Sequence, residues 1–212
     1  MRAASPPANT PIIRVTKIMD LAHARRYNEY MRDFESWLED LSGEPLPGGV
    51  SAAAVASAMG AALVVKAMRV TLQRRDLSGD QRAALQAVLD LARDRQTVLL
   101  HLADADERAY RAVLDSRARG PGSPAKDEAW YEATEAPIRV AEVCHLLLGK
   151  LPRVFGLCRP AVKPDLEIGA WLLETGRRAG LLAADTNLRT GKGEGAGAHR
   201  TRVDALKQET IL

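Results

Sequence analysis

A chain of 212 residues is long enough for one domain with a real core, and 46% hydrophobic with only 4% aromatic residues makes that core aliphatic and alanine-rich. Such a composition favours helices over a β-sandwich or barrel. Net charge is +3 and pI about 9.0, but 27 acidic residues are interleaved with 30 basic ones, and no basic stripe with aromatics emerges, so nucleic acid is set aside as a partner. The start, MRAASPPANTPII, has no apolar signal core, and no uncharged apolar stretch of membrane-spanning length survives once Lys66 and Arg69 are counted. A cytoplasmic protein with no membrane partner is expected. Cys144 and Cys158 are far from CxxC spacing, and His23, His101, His145 and His199 make no HxxxH pair, so no metal site is expected and a reducing compartment is.

Residues 1 to about 15, with Pro6, Pro7 and Pro11, read as a flexible tail, and 16–212 as one helical domain. Thr16 is placed to cap a helix through Ile18, Leu21, Met31, Phe34, Trp37, Leu38 and Leu41, with a break expected at Arg25 and Arg26. Ser42 to Gly49 is a loop. From about Val50 to Leu72 runs an Ala-, Val- and Met-rich helix apolar on most of its circumference, which places it centrally, with Gly60 leaving nearly bare backbone for a partner. Asp76, Ser78, Gly79 and Asp80 turn the chain into a helix from Asp80 to about Arg117, roughly 55 Å at 1.5 Å per residue. Gly120 to Pro124 is a loop, and the helix from about Asp127 should kink or split at Pro137 before resuming through Ile138 to Leu147. Pro152 marks a break. Pro160, Lys163, Pro164 and Asp165 lead into a helix through Ile168, Leu172 and Leu182, with Asp165 read as its N-cap. Gly191, Gly193, Gly195 and Gly197 precede a short terminal helix. No run alternates long enough for a strand: the chain is all-α, a bundle of long helices around the Ala-rich one.

Candidate chemistry lies at a few positions. Pro47, Gly48, Gly49 and Ser51 feed the positive end of the central helix, either an anion site or a plain tight turn. Asp104 and Asp106 point about 200° apart on a helix, so only one can face the core, where a carboxylate can act as general base or balance a cation. Lys66 inside an apolar run must meet a carboxylate or a ligand. Arg74 and Arg75 either complement a helix dipole or clamp a ligand carboxylate.

Several of these stretches together resemble the cyclodeaminase/cyclohydrolase family, which includes the C-terminal domain of formiminotransferase-cyclodeaminase. Its APGGGS loop and Ala-rich helix ending in Thr and a basic pair correspond to PGGVS, the Ala-rich run, Thr71, Arg74 and Arg75. Its DxDAxAF segment corresponds to DADERAY (Asp104 to Tyr110) and its EAxxVP segment to EATEAP (Glu132 to Pro137). SDLxVAA corresponds to PDLEIGA (Pro164 to Ala170), and NVxINL to AADTNLR (Ala183 to Arg189). The matches run in order from about Phe34 to Arg189.

The resemblance implies an all-helical homodimer acting on a one-carbon-substituted tetrahydrofolate, with no metal or redox cofactor. It puts the catalytic carboxylate on Asp106; Lys66, a charge in an apolar run, and Asp165, in a loop placement that suits a site, are further catalytic candidates on their own positions. Substrate contacts are expected from Pro47, Gly48, Gly49, Ser51, Arg74, Arg75, Tyr110 and Asn187. Val50 stands in place of the third loop glycine, Pro164 of the serine before Asp165, Ala183 of an asparagine and Lys66 of an apolar residue. These departures motivate two alternatives: the same scaffold turned to another imine-type small molecule, or a helical dimer that binds without turnover.

Overall fold

The computed structural model describes residues 21–116, 124–190 and 196–208, in seven α-helices. They are α1 (Leu21–Gly43), α2 (Gly49–Leu72), α3 (Gly79–Ser116), α4 (Pro124–Leu148), α5 (Pro152–Phe155), α6 (Lys163–Thr190) and α7 (Ala196–Gln208), with a 3-10 turn at Pro160–Val162 before α6. There is no strand among the described residues, and the all-α expectation holds. The tail, the Thr16 cap, Gly120 to Ser123, and Gly191, Gly193 and Gly195 lie outside the described residues.

The chain divides at Glu44/Pro45 into two compact units. In the first, α1 is continuous from Leu21 to Gly43, so the break expected at Arg25 and Arg26 does not occur. Phe34 stacks on Trp37 there, centroids 5.8 Å apart.

In the second unit α2 packs between α3 and α6, α4 closes the ring against those same two helices, and α7 lies on α4 and α6. α2 is long and apolar enough to cross a bilayer by length and composition, but 61% of its most apolar window is buried in the bundle. It is the core helix, with Ala54, Ala61, Val64, Ala67 and Met68 fully enclosed. α3 spans 38 residues, about 57 Å at 1.5 Å per residue.

Two backbone features lock α6 to its neighbours. Gly169, Gly176 and Gly180 recur at helical spacing along one face of α6. A Cβ on Gly60 would lie 2.8 Å from the Gly169 carbonyl oxygen, and one on Gly169 would lie 2.9 Å from that of Gly60. A side chain on Gly176 would collide with the Ser57 hydroxyl, and one on Gly180 would reach 2.5 Å from the Pro137 carbonyl oxygen. α2 and α6, and α4 and α6, therefore touch backbone to backbone.

The second feature is at Pro137. The expected split does not happen: α4 runs unbroken through this buried proline. Proline has no amide hydrogen, so the Ala133 carbonyl four residues back loses its helical donor. The Asn187 side chain on α6 supplies one, its Nδ2 donating to that oxygen at 2.9 Å.

Candidate active site

The approach to α2 begins at Leu46–Pro47, a cis peptide, with Pro47 buried. Gly48 is the N-cap in extended conformation and brings no side-chain cap; the Ala52 amide donates to its carbonyl at 3.0 Å. The amides of Gly49 and Val50 have no acceptor within the helix, so its positive end is left open at these two positions. Ser51, three residues past the cap, is fully buried and turned toward α3. Its Oγ lies 3.1 Å from Asp106 Oδ2 and 3.3 Å from the Ala103 carbonyl.

Asp106 is 7% exposed, whereas Asp104 is on the exposed side of α3, so one of the two carboxylates faces inward. Burial raises the Asp106 carboxyl to about 6, against the two hydrogen bonds from Ser51 that lower it; the Glu107 charge adds a smaller upward push. A group near 6 can carry or release a proton close to neutrality. Ser51 has one hydroxyl hydrogen and two acceptors in reach. With Asp106 ionised, that hydrogen belongs on Oδ2. With Asp106 protonated, the carboxyl donates to Ser51 Oγ and the hydroxyl turns to Ala103. The pair can follow the proton by rotating one bond.

The other candidates do not all converge on this point. Tyr110, one turn beyond Asp106 on α3, is half-buried and meets Trp130 edge-on, centroids 6.3 Å apart. Asn187 is used by the Ala133 carbonyl. Lys66 meets a carboxylate: its Nζ is 2.9 Å from Asp165 Oδ2, with the two side chains 56% and 24% exposed. Asp165 is therefore not an N-cap; it sits third in α6, after the 3-10 turn, and serves the lysine. Arg74 donates to Asp76 at 3.0 and 2.5 Å and to the Leu157 carbonyl at 2.8 Å, tying the end of α2 to the segment after α5. Arg75 is exposed. Along the α2 axis, Lys66 lies about 22 Å and Arg74 about 35 Å from Ser51. Within one chain, the loop and Asp106 make one site, while Lys66, Asp165, Arg74 and Arg75 lie well away from it. A lysine charge at that distance no longer opposes a cationic substrate at Asp106.

Sequence reasoning missed a polar cluster on α4 and α7. Arg202 donates to Glu135 at 2.6 and 3.2 Å and to Glu142 at 2.8 and 2.9 Å. His199 Nε2 lies 3.0 Å from Glu135 Oε2, and the ring stacks on Tyr131 with centroids 4.3 Å apart. Glu135 and Glu142 are seven residues apart on one helix face, and His199 and Arg202 three apart on another; that charge complementarity was the available signal. Among the described residues no three metal-ligating side chains gather, and both cysteines are buried thiols, burial pushing Cys144 up to about 12.

A helical bundle built on a central alanine-rich helix, with a buried carboxylate set against a proline–glycine loop, defines the class. The sequence model of the formiminotransferase-cyclodeaminase family matches residues 33–202, and the chain belongs to that family. The fold is similar to the crystal structure of formiminotetrahydrofolate cyclodeaminase from Thermotoga maritima, with a TM-score of 0.67 over 90% of this chain and 93% of that one. Identity is 17%, so the likeness speaks for the fold. No curated protein sequence matches the chain.

Proposed function

We propose that this chain is a cyclodeaminase- or cyclohydrolase-type enzyme acting on a one-carbon-substituted tetrahydrofolate, with Asp106 as the acid/base group. The observation that supports it is the buried Asp106 carboxyl near pKa 6, held by Ser51 at the open start of α2. A methenyl bridge between two nitrogens is an amidinium cation with an electrophilic carbon. An ionised Asp106 balances that charge and takes a proton from the attacking water; the protonated form then gives it to the departing nitrogen. In the formimino direction the second folate nitrogen attacks the formimino carbon and closes the ring, Asp106 taking the proton from that nitrogen and returning it to the nitrogen that departs as ammonia. The Ser51 hydroxyl follows each transfer, so neither state of Asp106 lacks a hydrogen-bond partner. The Gly48–Gly49 backbone and the free amides behind it suit a substrate carbonyl. The reaction so drawn uses no cofactor and no metal.

Arg74 and Arg75, about 35 Å along α2 from Ser51, can meet a substrate at Asp106 only from a second copy of the chain, which is where the proposed homodimer enters. Loss of the methenyl chromophore is the test: equal rates for wild type and Asp106→Ala would remove the role. Mixing Asp106→Ala with Arg74→Ala protein tests the dimer, since a shared site regains part of its activity in the mixture.

Val50 supports a second reading. It is half-buried at the second position of α2, where the family motif carries glycine, and its branched side chain narrows the approach to the free amides. A different imine-type substrate fits a narrower mouth. Calorimetric titration with tetrahydrofolates separates the two, because micromolar binding favours folate.

A further inference from the structure

A pocket between α4, α6 and α7 lies apart from the Ser51–Asp106 pair and is lined by Asp127, Trp130, Tyr131, Thr134, Asn187 and His199, among others. Its inner end has a cavity volume of about 10 Å³, room for one ion the size of a water molecule, with anything larger left in the open mouth. The His199 side chain is 2% exposed, and its Nδ1 is buried with no hydrogen-bond partner among the described residues. A buried polar atom left this way is rare and needs an explanation.

The hydrogen bonds around the pocket fix what it can accept. Glu135 is pulled below its ordinary range by Arg202 and His199, which outweigh the opposing effect of burial, so its carboxylate is acceptor-only. The His199 proton shared with Glu135 therefore sits on Nε2, and whenever the ring carries that single proton Nδ1 is a lone pair. Thr134 gives its hydroxyl hydrogen to the Trp130 carbonyl at 2.7 Å, leaving oxygen lone pairs. Asn187 gives its amide nitrogen to the Ala133 carbonyl at 2.9 Å, leaving its amide oxygen. Asp127, in the first turn of α4, adds a carboxylate. The Thr134 hydrogen and one Asn187 amide hydrogen are committed elsewhere, while four acceptors line the pocket: His199 Nδ1, Thr134 Oγ1, the Asn187 amide oxygen and the Asp127 carboxylate. The complement is a small positive group rich in N–H.

We infer that this pocket binds ammonium or the head of a primary alkylammonium through His199 Nδ1, Thr134, Asn187 and Asp127. The inference does not rest on the reading of Asp106, although the formimino branch of that reaction releases the same ion. Full-length protein with ¹⁵N-labelled histidine is titrated at pH 8 and constant ionic strength with ammonium, methylammonium or potassium chloride. The expected result is a saturable shift of His199 Nδ1 with at least one of the two N–H donors and none with potassium. Saturation by ammonium alone identifies the free ion; tighter methylammonium binding identifies an alkyl amine. His199→Phe, which keeps the stacking on Tyr131 but loses Nδ1, is followed by Trp130 fluorescence and should bind about tenfold more weakly. Asp127→Asn, at a half-exposed position, should bind about threefold more weakly and decides the matter if His199→Phe does not fold. Asp106→Asn should bind like wild type, which separates this site from the proposed reaction. An equal response to potassium, no saturation with either amine, or wild-type binding in Asp127→Asn together with any folded His199→Phe would overturn the inference.

Discussion

Asp106 and Glu135 are both carboxylates taken partly or wholly out of water, and the bundle treats them in opposite ways. Burial raises each. At Asp106 only the hydroxyl and backbone of one serine answer it, and the group settles near 6. At Glu135, burial is outweighed by the hydrogen bonds and charge of Arg202 and by His199, and the group ends below its ordinary value. The difference is whether a cation shares the site. A carboxylate beside a guanidinium is held ionised and does structural work; one facing a hydroxyl is left able to exchange a proton.

The largest effect that breaks this contrast is Asp106→Asn, expected to lower turnover by about 10²- to 10⁴-fold in the methenyl assay. The same change should stabilise the fold. Raising a folded-state pKa from 3.8 to about 6 corresponds to a penalty of about 3 kcal/mol on the ionised form. That penalty is absent below pH 4, grows as pH rises through 6 and is complete above it. Urea denaturation should therefore show Asp106→Asn more stable than wild type at pH 8 and equal to it at pH 4. Asn187→Leu leaves the Ala133 carbonyl without a donor and should lose about 1–3 kcal/mol by the same method. Arg202→Met removes the cation that distinguishes the two acids. With side chains about a third exposed, the loss should be about 1–2 kcal/mol after screening by water. Glu135 is lowered in the fold, so this loss should be full near neutrality and shrink as pH falls through the carboxylate range. Ser51→Ala should move the acidic limb of the rate profile above 6, because it deletes the hydroxyl bond, the larger of the two Ser51 bonds that lower Asp106, and keeps the backbone one. The smallest effect is at Lys66→Ala, where a mostly exposed pair should contribute under about 1 kcal/mol.

The sequence made the helices legible wherever apolar spacing was regular: α2 and α3 begin and end within a residue or so of where periodicity and turn residues put them. Two residues of separation turn Asp104 and Asp106 to opposite faces, so the sequence showed that only one faces inward; the family resemblance pointed to Asp106. Sequence reasoning misjudged Pro137, because the rescue of the Ala133 carbonyl comes from Asn187, fifty residues on, and local rules see only the missing amide. Lys66 looked buried because its neighbours in sequence are apolar, yet its own position on α2 faces outward, opposite Asp165. Within one chain Arg74 does not reach the loop, for a plainer reason, the length of a helix. The α4–α7 cluster was hidden because its partners are about sixty residues apart and each, alone, reads as a solvated charge.

The glycine seam of α6 has a mechanical consequence. Because no side chain separates the backbones where Gly60 meets Gly169 and where Gly180 meets Pro137, a roll of α6 about its own axis would drive a side chain into a neighbouring peptide plane. Asp165 at one end and Asn187 at the other, about 33 Å away, are thus held in fixed phase, like two teeth on one shaft. Any give that accompanies ligand entry has to come from the Leu46–Gly48 approach or from α3, and hydrogen exchange should find α6 the slowest helix of the unit.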